Sequence, residues 1–165
     1  MTSYSIRHAA CLLLIFLSGP LTAHAQDRGT GVGVIVGEPT GISLKQWLTP
    51  TTALDAAMAW SFDRNTSVQL HGNYLIHDYN VVNLRPGRWP VYYGIGGRVK
   101  FDDERRRGDR TRKNTRMGIR FPVGVAHLFD DLPLDAFIEA VPVLDVAPST
   151  SFTLNAAIGV RYFFP

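Results

Sequence analysis

Cysteine is nearly absent from this chain, and beyond the first 25 residues so are long hydrophobic runs. The single cysteine, Cys11, begins the apolar run Cys11–Leu17. That run is too short to cross a bilayer as a helix. With Arg7 before it and Ala23-His24-Ala25 after it, the pattern is typical of a secretory signal peptide. Residues 1–25 are therefore predicted to be removed on export. Residues 26–165 are predicted to form one domain without disulfide or thiol chemistry.

The chain also lacks a widespread excess of charge. It has 17 Lys and Arg against 14 Asp and Glu. Seven of the basic and four of the acidic residues lie between Asp102 and Arg116. The basic character thus belongs to one segment, whereas a nucleic-acid-binding protein carries it over a face or along a helix. No nucleic-acid partner is predicted.

Helical periodicity is missing as well, and in its place the sequence alternates with period two. In the C-terminal segment Ser151–Phe164 one face is wholly apolar, and the other carries mostly polar or small residues. Small residues suit a crowded interior better than a solvated surface, so the pattern favours a transmembrane barrel strand. Eight alternating segments are predicted as strands: Thr30–Gly37, Gly41–Leu48, Thr52–Phe62, Ser67–Asp78, Pro90–Phe101, Thr115–Leu128, Leu134–Asp145 and Ser151–Phe164.

These segments predict an all-β fold, an eight-stranded antiparallel up-and-down transmembrane barrel in an outer membrane. An even number of strands lets the sheet close without an edge. With both chain ends in the periplasm, the predicted external loops are Glu38–Thr40, Asp63–Thr66, Asp102–Asn114 and Val146–Thr150. Aromatic residues near the strand ends are predicted to form two girdles, with Trp60, Phe62, Phe101 and Phe152 outside and Trp89, Tyr162 and Phe164 inside.

In strand number, hairpin spacing and signal peptide, the chain resembles the OmpA-like family of small outer-membrane barrels over Thr30–Phe164. Its ending, Tyr162-Phe163-Phe164, is similar to the signal read by the outer-membrane insertion machinery, although Pro165 follows it. The segment Gly33–Leu48, with Gly37-Glu-Pro-Thr-Gly41 as its first hairpin, resembles a little-characterised subgroup. That resemblance implies no enzymatic activity.

Charged side chains on the inward faces are predicted to meet inside the barrel. Counting back from the turns places Lys45 opposite Asp55, Glu139 opposite Arg161, and Phe137 opposite Phe163, with Arg120 about one pleat from Glu139. The cluster either forms a structural plug of ion pairs or lines a gated ion path, although so narrow a lumen is normally filled by side chains. Its predicted members are Lys45, Asp55, Arg98, Arg120, Glu139 and Arg161.

Neither a metal site nor a catalytic site is predicted. His71 and His77 lie six residues apart on one strand, roughly 20 Å at about 3.4 Å per residue, too far to share an ion. No third or fourth converging zinc ligand is visible, and no cofactor is predicted. A lipid A-modifying enzyme would need a histidine beside an outward serine, which the sequence does not supply, so the chain is not predicted to be an enzyme.

The basic external loop is the remaining candidate site. It is either a solvated cap or a contact for phosphate groups, because guanidinium forks bind phosphate bidentately. Lipopolysaccharide or another surface polyanion would be the partner, beside the lipid of the outer membrane itself. The predicted role is structural or surface-binding, and the alternative is a small low-conductance channel. The candidate anion-binding residues are Arg105, Arg106, Arg107, Arg110, Arg112 and Lys113.

Overall fold

A computed structural model describes residues 28–38, 40–61, 66–105 and 111–164 of the chain, with the backbone alone at 61, 66, 102–105 and 111–114. The predicted signal peptide, residues 1–25, lies outside the described residues. Within the described residues no helix is long and apolar enough to cross a membrane.

All the regular elements of the described residues are β-strands, and their bounds follow the alternating segments closely. They are β1 Thr30–Gly37, β2 Gly41–Thr49, β3 Thr52–Ser61, β4 Thr66–Asp78, β5 Val91–Arg105, β6 Thr111–Arg120, β7 Val123–Leu128, β8 Leu134–Ala147 and β9 Ser151–Phe164.

The strands form one closed antiparallel sheet. The strands from β1 to β5 pair in chain order, β6 and β7 each pair with both β5 and β8, and β8 pairs with β9. β1 also pairs with β9, from Thr30 opposite Phe164 to Gly37 opposite Ala157. Because that seam joins the first strand to the last, the sheet has no free edge, which is how barrels avoid unpaired backbone groups. The all-β up-and-down barrel is thereby confirmed. We call the end that holds Thr30 and Phe164 the terminal end, and the other the hairpin end.

The prediction of one continuous sixth strand over Thr115–Leu128 is wrong, because this segment is divided between β6 and β7. Both strands occupy the same position in the wall, between β5 and β8. The ladder is interrupted where Pro122 lies beside β5 and Pro142 beside Phe121. Gly94 donates to the Pro122 carbonyl at 3.0 Å and Phe121 to the Pro142 carbonyl at 2.9 Å, but neither proline has an N–H with which to return the bond. The nine strands therefore fill eight positions in the barrel wall, because β6 and β7 share one.

Side chains alternate between the two faces of the wall as predicted. The outward row of β9 is exposed, including Phe152, Leu154, Ile158 and Val160. The inward row is buried and includes Asn155, Arg161 and Phe163. The interior is crowded, because a Cβ at Gly31 would lie 2.7 Å from the ring of Phe163. Small residues are needed wherever a large neighbour crosses the lumen.

The turns at the terminal end contact one another. Tyr79 donates from its hydroxyl to the Pro50 carbonyl at 3.2 Å, and Gly87 donates from its backbone to Asp130 Oδ2 at 2.9 Å. His127 stacks between Trp89, with ring centroids 4.2 Å apart, and Phe129, at 4.3 Å. The long turn between β4 and β5 is thus fastened to the turns on both sides.

Candidate functional site

The six residues of the predicted interior cluster are all buried. Asp135 and Asp145 are buried among them, so the described interior holds four basic and four acidic side chains: Lys45, Arg98, Arg120, Arg161, Asp55, Asp135, Glu139 and Asp145. Ionised groups removed from water need partners, and the numbers of the two signs match.

The predicted pairing of Glu139 with Arg161 is wrong. In the β8–β9 hairpin Arg161 lies opposite Asp135, and Glu139 lies opposite Ala157. The turn was expected around Ser149 and Thr150, but the ladder register centres it on Pro148, which has no N–H to pair and a fixed φ. Moving the centre shifts the register by four residues. Because four is even, the inward and outward faces keep their identity while the partners change.

The same shift overturns the expected pairing of two aromatic residues. Phe137 lies opposite Gly159 instead of Phe163. The Phe137 ring fills the space above that glycine, and the guanidinium of Arg161 stacks on it at 4.0 Å. A large ring facing a residue without a side chain keeps the lumen filled, as a barrel of this width requires.

Arg161 is the centre of an ion cluster at the terminal end. Its Nε donates to Asp135 Oδ1 at 3.0 Å and lies 3.2 Å from Oδ2. Its Nη1 lies 3.5 Å from Asp55 Oδ2. Both carboxylates come from strands that the register places on opposite sides of β1 and β9. One guanidinium therefore ties two walls of the barrel together.

Lys45 completes that cluster. It lies opposite Asp55 as predicted, but its Nζ lies 3.7 Å from Asp135 and 2.9 Å from His77 Nε2. The ammonium also sits 4.2 Å from the centre of the Trp47 ring, within cation–π range. A ladder pair fixes where two Cβ atoms lie, whereas a lysine four carbons long can reach a different carboxylate.

The middle of the lumen holds a looser network. Arg120 Nη2 lies 3.9 Å from Glu139 Oε1, so the two side chains meet as anticipated. The expected spacing of one pleat is wrong, because Arg120 lies opposite Val143, four residues from Glu139 along β8. Its Nε donates to Asn73 Oδ1 at 3.3 Å, and Asn73 Nδ2 donates to Asp55 at 2.6 Å. The Tyr92 hydroxyl donates to Glu139 at 3.0 Å. Neither Nη of Arg120 has a hydrogen-bond acceptor among the described side chains or backbone.

A third pair lies towards the hairpin end. Arg98 donates from Nε and Nη2 to the two oxygens of Asp145 at 3.0 and 2.8 Å, and Ser151 contacts the same carboxylate at 3.4 Å. Bidentate geometry of this kind is the strong form of an arginine–carboxylate contact. The contacts between charged groups are therefore short at both ends of the lumen and longer in the middle.

Asp135, Asp145, Asn73 and Tyr92 also lie on inward faces and are buried, but they are not among the predicted members of the cluster. The sequence did contain one indication of their inward position, namely their place in the alternation of inward and outward residues along each strand. The missing information was the hairpin register and the reach of each side chain across the lumen, which the alternation of residues does not contain.

The two inward histidines have separate environments. His71 approaches Gln69 at 3.4 Å, and His77 contacts Lys45 and stacks on Trp47 with centroids 4.4 Å apart. Across the described part of the chain, no group of three or more His, Cys, Asp and Glu side chains is placed to hold a metal ion.

The basic loop between β5 and β6 is shorter than predicted. The two strands remain paired as far as Arg105 opposite Thr111, with Glu104 opposite Arg112 and Asp103 opposite Lys113. The expected loop Asp102–Asn114 is wrong at its bounds, because three of the six candidate residues, Arg105, Arg112 and Lys113, lie on a projecting hairpin. Their side chains, and Arg106, Arg107 and Arg110 altogether, lie outside the described residues.

The closed sheet, the inward charges and the outward apolar rows define a small antiparallel β-barrel. Its fold is similar to that of the N-terminal β-barrel domain of Pseudomonas aeruginosa OprF, seen in a crystal structure. The TM-score is 0.57 and the sequence identity 14%, over 82% of this chain and 95% of that one. This likeness supports an OmpA-like barrel fold. No protein-family model matches the sequence, and no curated protein matches it.

Proposed function

We propose that the chain is a small outer-membrane barrel protein without catalytic activity, with a structural or surface-binding role. The observation that carries the proposal is the reversed polarity of its wall. Outward side chains around the ring are apolar and exposed, including Val34, Met58, Ile95 and Ile138, while the buried side chains include eight charged ones. A water-soluble protein buries apolar residues and exposes charge, whereas a barrel in lipid does the opposite.

Three finer assignments belong to this proposal. We propose that residues 1–25 direct export and are cleaved, that the insertion machinery reads the segment Tyr162-Phe163-Phe164, and that the chain belongs to the little-characterised subgroup of OmpA-like barrels that its first hairpin resembles. Fractionation of expressing cells tests the location. Mature protein beginning at Gln26, recovered with outer-membrane lipid and insoluble without detergent, is the expected result. A soluble monomer would contradict the proposal.

We assign the surface-binding part of the role to the hairpin that β5 and β6 form around the segment Asp102–Asn114, which we call the basic hairpin. Replacing Arg105, Arg106, Arg107, Arg110 and Arg112 with Gln is expected to weaken binding to lipopolysaccharide and to flatten the salt dependence of that binding. Exposed charges act over about 8–10 Å at ordinary ionic strength, so the wild-type signal is expected to fade in high salt. Folding is expected to be unchanged, because Arg105 and Arg112 lie where β5 and β6 pair only with each other. Equal binding by both proteins across a salt series would leave the hairpin as a solubilising cap.

A low-conductance channel is the second candidate function, and the loose contact of Arg120 favours it. An ion path needs charged groups that can change partners, and Arg120 is held to Glu139 only at 3.9 Å. Single-channel recording in planar bilayers separates the two functions. Discrete openings that change in amplitude or frequency in Arg120→Lys, but not in Arg98→Lys, would support the channel, whereas silent bilayers would support a filled lumen.

A further inference from the structure

Two glycines on the outward surface have no packing reason to be glycines. Gly72 on β4 lies directly opposite Gly97 on β5. A Cβ at Gly72 would meet nothing closer than the Asp55 carbonyl at 3.8 Å, and one at Gly97 nothing closer than the Gly118 carbonyl at 3.9 Å. Neither has the positive φ seen at Gly29, Gly37 and Gly87. Glycine in a strand interior weakens the strand, and it often marks a close approach by a ligand or another backbone.

The paired glycines form the floor of a groove. It is a shallow, open depression of about 430 Å³ across β4, β5 and β6, and it reaches the end of β8 at Val146. Its lining is mostly apolar, with the side chains of Leu70, Val99, Met117, Ile119 and Val146, and it also includes the inward residues His71 and Arg98. The groove starts at the middle residues of β4 and runs towards the hairpin end. In a membrane, under the proposed function, it therefore lies in the outer leaflet.

The composition of the chain beyond the groove indicates what occupies it. β5 and β6 form two of its walls, and these strands continue into the segment from Asp102 to Arg116, which has seven basic and four acidic residues. A lipid with a phosphorylated headgroup would place its phosphate beside that segment and its acyl chain in the groove. The negative charge of a phosphate in the outer leaflet and the net positive charge of this segment are complementary.

A second copy of the chain fits this surface less well. A symmetric dimer brings the same patch of each copy together. Two concave grooves would then face each other and leave a void, which close-packed interfaces avoid. The segments from Asp102 to Arg116 of the two copies each have a net positive charge and would also repel each other.

We infer that the groove over Gly72 and Gly97 binds one acyl chain of a phosphorylated outer-leaflet glycolipid of the lipid A class. The groove supplies van der Waals contact along one bound chain, and the net positive charge of the segment from Asp102 to Arg116 favours a phosphorylated headgroup. The inference rests on the proposed outer-membrane location and deepens the surface-binding role.

The test fills the groove and leaves the rest of the wall unchanged. A double variant, Gly72→Leu with Gly97→Leu, is compared with Ala140→Leu with Ala156→Leu. The control alanines are also exposed, face outward and lie directly opposite each other, but on β8 and β9. Each protein is reconstituted in nanodiscs of zwitterionic phospholipid containing lipid A, and bound lipid A per barrel is counted by native mass spectrometry. The groove variant is expected to bind about tenfold more weakly, a change of about 1.4 kcal/mol, while the control binds like the wild type.

A second measurement needs no substitution. In wild-type barrels, cross-relaxation between lipid A acyl chains and the methyl groups of Met117, Ile119 and Val146 is expected to exceed that at Ile138 and Val160 elsewhere on the wall. Uniform cross-relaxation, or equal binding by the groove variant and the control, would overturn the inference. So would a wild-type dimer that the groove variant converts to monomer, because a second copy would then be the occupant.

The five-Gln hairpin variant distinguishes the failure of this inference from the failure of the proposed function. If the groove variant keeps lipid A and the five-Gln variant loses it, the surface-binding role stands and the groove assignment is wrong. If both variants keep it, the surface-binding role is wrong as well.

Discussion

At the scale of single residues, the stability of the interior depends on which carboxylate each arginine contacts. Arg161 is buried and is held by Asp135 and Asp55. Among the described residues, Arg120 has a weaker set of partners, namely the Glu139 carboxylate at 3.9 Å and the Asn73 amide. A buried ion that loses its partner is destabilising by about 3–5 kcal/mol. The cost of each substitution should therefore follow these contacts and not the distance along the strand.

Asp135→Asn is expected to destabilise the barrel by about 3–5 kcal/mol, because it leaves Arg161 and Lys45 without their shared carboxylate. Adding Arg161→Gln should recover part of the loss. Urea unfolding in detergent gives the free energies for a double-mutant cycle. The matched cycle, Glu139→Gln with Arg161→Gln, is expected to show the smaller coupling. Equal couplings in the two cycles would mean that the four-residue shift in the hairpin register is wrong.

At the scale of elements, two features of the wall depend on backbone groups. β6 and β7 are separated because Pro122 and Pro142 each remove one of the two bonds that a directly opposed, hydrogen-bonded pair would exchange. The β1–β9 seam depends instead on close approach, since the chain of Gly33 lies against the backbone of Val160 and Arg161.

Pro122→Ala is expected to join β6 and β7 into one strand. The new N–H would face the Gly94 carbonyl, so its hydrogen exchange should be slow. Stability should change little, because a net hydrogen bond of about 0.5–1.5 kcal/mol opposes the greater freedom of the unfolded chain. NMR exchange rates measure the result. Pro148→Ala in the exposed turn is the control, and its new amide should exchange fast. Fast exchange at position 122 as well would show that another feature separates the strands.

Gly33→Ala is expected to impair closure of the barrel, because the added methyl group would overlap the Val160 carbonyl and the Arg161 side chain. Gly72→Ala, which adds the same group to an open outward surface, should assemble normally. The fraction of protein that migrates as the compact folded form in unheated electrophoresis measures assembly. Equal fractions for the two variants would argue against tight β1–β9 contact at Gly33.

At the scale of the whole molecule, the wall must be apolar outside over its full circumference. Ile158 lies at the middle of β9 and is exposed, while Asn155 on the same strand is buried. Two substitutions three residues apart therefore test opposite faces of one wall.

Ile158→Arg is expected to impair membrane assembly, because arginine at the lipid-facing midplane costs about 2–4 kcal/mol. Asn155→Ser should be tolerated, since it keeps a small polar group in the lumen. Folded protein recovered after refolding into lipid vesicles is the measurement. If the arginine variant inserts as well as the wild type, the outward face of β9 does not meet hydrocarbon.

The sequence by itself determined the strands and their faces. Alternation with period two fixes which side chains share a face, and that holds whatever a strand pairs with, so the inward position of Lys45, Asp135 and Arg161 followed from parity alone. The even number of long segments likewise implied closure, and the glycines and alanines of the inward rows implied a filled lumen.

Only the tertiary structure decided which inward residues meet. The β8–β9 register depends on where the turn at Pro148 is centred, and an even shift leaves the hydrophobic pattern unchanged, so Arg161 could have faced Glu139 or Asp135 without a trace in the sequence. Lys45 reaches Asp135 across the lumen because barrel closure brings distant strands together. The Gly72–Gly97 groove also appeared only with the fold, since two glycines 25 positions apart become one surface only when β4 pairs with β5.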